Sequence, residues 1–212
     1  SRILVGFPVS TITSDRSAGT IPASGSVKFF LRMFNAVTPF TVPRDFTLTV
    51  AAVSGAHRPD PQGAQYDFNW QEGNGIDMEN YTNVTRDGIG ANWLNMGSSS
   101  THGTLKWGSA TSPTAGGVYY TDNSSSFTAS FDDGTEDLEL DITTLVEQWL
   151  NSAGNVLGSK PNYGVGVHLT ASQEALVAAS DASTVVPANT AGAARSYYTK
   201  KFFARSSEFF YR

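Results

Sequence analysis

Ile3, Val5, Phe7 and Val9 alternate with Arg2, Leu4, Gly6 and Pro8, a two-residue period that predicts a strand at the very start of the chain. The segment from Asp15 to Gly25 is rich in Ser, Gly and Pro and reads as a turn. From Val27 to Asn35 the alternation returns, with Val27, Phe29, Leu31 and Met33 on one face and Lys28, Phe30, Arg32 and Phe34 on the other. Aromatics on both faces predict an inner strand. Phe46, Leu48 and Val50 form one face of the cleanest strand in the chain. Further on, Phe127 to Phe131 and Leu138 to Leu140 flank an acidic turn from Asp132 to Asp137. Ile142, Leu145, Val146, Trp149 and Leu150 then fall at helical spacing and predict the one helix, with Asp141 as its N-cap and Asn151 to Gly154 as its stop. Val165, Val167 and Leu169 mark one more strand within Tyr163 to Thr170.

Between these elements the pattern weakens. Residues 66–107 carry Trp70, Tyr81, Trp93 and Trp107 among Gly and Asn, which predicts loops pinned by aromatics rather than regular strands. Residues 171–192 are Ala- and Ser-rich and read as a loop or arm, with too few large apolar side chains to offset their ordering entropy without a partner. No internal repeat is present. The order of elements predicts an all-β fold: a single antiparallel β-sandwich, jelly-roll-like, over residues 1–212, with one short crossover helix near 142–150 and long loops.

Composition narrows the function. In 212 residues, 40% hydrophobic and 12% aromatic side chains suffice for a core, so wholesale disorder is excluded. Zero cysteines remove disulfides, thiolate metal sites and cysteine nucleophiles, and suit a protein made in a reducing cytoplasm. A net charge of −5 offers no general attraction to nucleic acid or anionic membranes, and no apolar run approaches the roughly 20 residues that span a bilayer. The chain opens on Ser1 without a leader pattern, so the expectation is a processed product or a segment of a longer protein.

Catalytic motifs do not emerge. His57, His102 and His168 share no motif spacing, and no nucleophile elbow, zincin helix or phosphate loop occurs, so the reading is non-enzymatic. Asp77, Glu79 and Asp87, with Asn74 and Asn80, are candidate oxygen ligands for Ca²⁺, as is the 132–137 turn. Their spacing misses the calcium-loop pattern, and turn chemistry is the favoured reading; no cofactor is expected. Trp70, Trp93 and Trp107, with Tyr119 and Tyr120, are candidate platforms for polysaccharide, against a favoured role in pinning loops. Residues 196–212 hold seven aromatics among Lys and Arg, the most unusual feature of the chain. Ile3 and Val5 at one end, and Phe202, Phe203, Phe209, Phe210 and Tyr211 at the other, are the candidates for contact with another chain.

Several short segments carry a family resemblance: residues 1–7 (SRILVGF), 41–46 (TVPRDF), 70–73 (WQEG), 88–93 (GIGANW), 136–143 (EDLELDIT) and 198–209 (YTKKFFARSSEF). In this order they resemble a family of tailed-phage virion structural proteins. The plan is more distantly similar to the DNRLRE β-sandwich modules of bacterial surface proteins. The resemblance implies an antiparallel sandwich in a virion, with no catalytic residues to carry over. Family members usually extend beyond both ends matched here. The expectation is therefore a structural subunit of a head fibre, decoration, neck or tail appendage, made in the bacterial cytoplasm and extracellular after release. Its partners would be copies of itself and other virion proteins, and it would work by self-assembly through interchain strand contacts. Two alternatives stand beside it: a carbohydrate-binding module for cell-surface polysaccharide, and a subunit of an extracellular bacterial filament.

Overall fold

The computed structural model describes residues 2–39, 42, 44–54, 91, 95–99, 103–108, 114, 116–170 and 200–203. The element order is β1 (Ile3–Val5), α1 (Ser10–Ser17), β2 (Phe30–Met33), β3 (Phe46–Ala52), β4 (Asn95–Ser99), β5 (Gly103–Lys106), β6 (Ser126–Phe131), β7 (Leu138–Asp141), α2 (Thr143–Leu150) and β8 (Val165–Leu169). Among the described residues strands therefore dominate and helices are few and short, consistent with an all-β fold. A four-stranded sheet runs β1-β8-β3-β6, and β2 with β7 and β4 with β5 form antiparallel ribbons. The chain forms two compact units, whose boundaries fall within β3, β6 and β8: Ser1–Val27, Ala51–Ser126 and Thr143–Val167, and Lys28–Val50, Phe127–Ile142 and His168–Arg212.

In the first unit β1 pairs antiparallel with β8, Ile3 opposite Val167 and Val5 opposite Val165. Gly164 leads into β8 with a φ of +79°, and a Cβ there would run into the carbonyl oxygen of Val5. Gly164→Ala is accordingly expected to cost about 1–3 kcal/mol, read as loss of hydrogen-exchange protection in β1 before the rest of the chain.

The predicted apolar stripe buries α2, and Ile142, Leu145, Val146, Trp149 and Leu150 are all under a tenth exposed. Asn151, at φ +42°, ends the helix as expected. Asp141, the expected N-cap, is the last residue of β7, two positions before the first residue of α2; it stands opposite Phe30 and pairs with Lys28 at 3.4 Å. Two polar side chains lie among the buried residues of α2. Gln148 donates to the carbonyls of Ser124 and Thr144 (both 2.9 Å) and accepts from Lys160 Nζ (2.7 Å). Glu147 is held by Arg16 of α1, Nη1 to Oε2 at 2.7 Å and Nη2 to Oε1 at 2.8 Å.

The helix α1 overturns the expectation of a single helix. None of its apolar side chains is buried, and its hydroxyls on Thr13, Ser14 and Ser17 fold back onto carbonyls four positions earlier. With no apolar stripe it leaves no period to read. What fixes it is Arg16, which also reaches Ser152 Oγ and the carbonyl of Pro22. The expectation of loops throughout 66–107 fails too, because 95–106 contain the β4–β5 ribbon, with a register shift between Asn95 and Gly97. That irregularity, and the Gly and Ser residues in it, hide the two-residue period.

In the second unit Phe46 stacks on Phe131, centroids 4.9 Å apart. The 132–137 turn satisfies its own backbone: Glu136 Oε1 accepts from the amides of Asp132 and Asp133, and Asp133 Oδ1 from the amide of Thr135. Among the described residues no three His, Asp or Glu side chains are grouped to hold a metal, and no helix is long and apolar enough to cross a membrane.

Candidate assembly surface

The second unit also contains β2, β7 and residues 200–203. The register sets Phe30 opposite Asp141, Arg32 opposite Glu139 and Met33 opposite Leu138. Odd positions of β2 turn their backbone toward β7, as the bond from the Ile142 amide to the Phe29 carbonyl shows. The even positions just beyond it bond the other way: Phe203 N–H donates to the Phe34 carbonyl at 3.0 Å, and Ala36 N–H to the Lys201 carbonyl at 2.9 Å. The expected inner strand is not what forms: β2 itself pairs only with β7, and the second neighbour is met by residues 34–36 beyond its end. Asn35 and Phe202 are opposed as a non-hydrogen-bonded antiparallel pair.

Lys200 locks the added segment. Its ammonium donates to Asn35 Oδ1 (2.7 Å), the Gly134 carbonyl (2.9 Å) and the Glu136 carbonyl (2.6 Å), and lies over the rings of Phe131 and Phe202. Burial pushes its pKa below the usual lysine value, with Glu136, Asp137 and Asp133 working the other way. Lys200→Ala leaves three acceptors without their donor, and about 1.5–3 kcal/mol of stability is expected to go with it. Limited proteolysis should then cut around residue 200 well before the rest of the second unit.

The two faces of β2 differ. Leu31 is 5% exposed, whereas Phe30 and Phe34 are 46% and 43% exposed on the opposite face. Between and beside them stand two cross-strand ion pairs, Arg32 with Glu139 at 2.9 Å and Lys28 with Asp141 at 3.4 Å, all four side chains well exposed. The basic groups lie on β2 and the residues just before it, the acidic groups on β7. This aromatic and charged face was half legible: the alternation Lys28, Phe30, Arg32, Phe34 is plain in the sequence, but not which face the core covers.

The other candidates fall as follows. Ile3 and Val5 pair with β8 of their own chain along one edge of β1, which is the end strand of the four-stranded sheet, and Phe202 and Phe203 lie beside the 34–36 segment. Trp107 is 2% exposed, packed with Val53 and Met96, and presents no ring face to a sugar. That corrects its candidacy as a glycan platform, since a stacking ring must be open on one side. Tyr119 and Tyr120 are half-buried, Tyr119 bonded to the Gly116 carbonyl and Tyr120 beneath Lys160. Trp70, Trp93, Asp77, Glu79, Asp87, Phe209, Phe210, Tyr211 and the 171–192 segment lie outside the described residues.

No protein-family model, no curated protein and no solved structure matches the chain.

Proposed function

We propose that this chain is a non-enzymatic structural subunit of a tailed-phage virion, in a head fibre, decoration, neck or tail appendage, and that it works by assembly. In this reading its antiparallel sheets belong to a jelly-roll-like sandwich, and its partners are copies of itself and other virion proteins. One observation carries the assembly part: β2 and the residue after it hold Phe30 and Phe34 half-exposed around Arg32, the aromatic and Arg composition that is enriched at protein–protein contacts. The virion part is supported by the ordered resemblance of its segments to phage structural proteins.

The test is to purify particles from the source culture on a density gradient and probe them with antiserum raised against the recombinant chain. Immunogold label at a fixed position on intact particles, with the matching peptides in their mass spectrum, is the expected result. Absence of the chain from particles while it accumulates elsewhere in the culture would reject the virion assignment.

A further inference from the structure

The outer face of the β2–β7 ribbon carries rows of opposite charge that share one register, and this restricts what can dock on it. Arg32 stands on β2 with Lys28 just before it, Glu139 and Asp141 on β7, and Arg32 is directly opposite Glu139. These exposed pairs add little to the stability of the chain, so their charges remain available to a partner. Phe30 and Phe34 lie on the same face, on either side of Arg32.

We infer that this face binds the same face of a second copy of the chain, the two related by a two-fold axis parallel to the strands. The inference rests on the assembly reading and specifies its partner and geometry. A rotation about that axis leaves position along the strands unchanged and exchanges the two rows. Each Arg32 then lies over the partner copy's acidic row at the level of Glu139, and the Phe30 and Phe34 rings of both copies meet along the axis. An in-plane axis perpendicular to the strands would instead put β2 over β2 and base over base. Charge therefore selects one of the two face-to-face arrangements. The ribbon is narrow, with strands about 4.8 Å apart, so the contact is small and dissociable, the kind that gains strength by repetition in a particle.

The test is sedimentation equilibrium over a wide concentration range. The wild-type mass should rise from 22.6 kDa toward twice that value with concentration. Arg32→Glu opposes two acidic groups at two symmetry-related positions, and Glu139→Arg opposes two basic ones. Each single variant should weaken association more than about tenfold. An equimolar mixture of the two should recover it, because a copy acidic at both 32 and 139 then meets a copy basic at both. The double variant Arg32→Glu/Glu139→Arg should pair with itself and not with wild type. Both substituted sites are exposed, and circular dichroism confirms the fold of each variant. Single variants that associate like wild type, or a folded mixture that stays monomeric, would overturn the pairing. A wild type monomeric throughout would overturn it too, without touching the virion assignment, which particle composition decides separately.

Discussion

Glu147→Ala is expected to lower stability by about 3–5 kcal/mol, the loss that follows when one partner of a buried ion pair is removed and the other is left charged. For a chain of this length that is a fall in Tm of roughly 10 °C. The Arg16 and Glu147 side chains are only 7% and 5% exposed, and their two bonds of 2.7 and 2.8 Å form a bidentate fork. Arg16→Ala should cost a similar amount and also release Pro22 and Ser152. The double variant Arg16→Met/Glu147→Leu should recover part of the loss, because no lone charge is then buried. Denaturant unfolding of the two single variants and of Arg16→Ala/Glu147→Ala measures the cycle. If the two single losses simply add in Arg16→Ala/Glu147→Ala, the fork does not act as a unit.

The same pair sets a pH dependence. Burial works against ionisation of Glu147, but Arg16, with the Ser24 hydroxyl and the Gly25 amide, outweighs it and holds the carboxyl below its ordinary 4.5. A carboxyl with a depressed folded pKa contributes stability that is complete above the unfolded value and is lost as pH falls through the folded one. Wild type should therefore weaken below about pH 4.5, and Glu147→Ala should show a flatter acid limb. Asp122 adds to that limb, held low by Ser124 against burial and helped by Ser125 and Lys160.

Why this fork escaped the sequence is a matter of distance. Glu147 stands inside a run whose apolar stripe is plain, and helical periodicity assigns it to the flank; its partner lies 131 positions away, in a segment with no period at all. Gln148 is hidden for the same reason, since its carbonyl partner at Ser124 is 24 positions distant. What periodicity does report is apolar burial. Phe46, Leu48 and Val50 in β3, Leu138 in β7, and Val165 and Val167 in β8 are all 5% exposed or less, as their alternation required. The site was legible to the same extent. One aromatic on one face of Val27 to Asn35 and two on the other were evident, but whether Phe29 or Phe30 meets solvent is decided by contacts distant in sequence.

Trp107→Ala is the second large effect expected, about 3–5 kcal/mol from the lost burial and the cavity left behind. Among the described residues Trp107 is the largest of the fully buried side chains, and it packs against Val53 and Met96, with Leu4, Val118, Tyr119 and Tyr163 around them. It thereby ties the end of the β4–β5 ribbon to residues 118–120, where Val53 and Tyr119 are bridged. The expected signature in hydrogen exchange is early loss of protection at Ser54 and Tyr120, whose amides bond to Val118 and Ala52. Trp107→Phe keeps most of the apolar volume and should cost clearly less. The contrast separates packing from recognition: a ring used to bind polysaccharide would change affinity at constant stability, whereas a buried ring changes stability first. Unchanged unfolding of Trp107→Ala would place the indole outside the core and reopen its role as a surface platform.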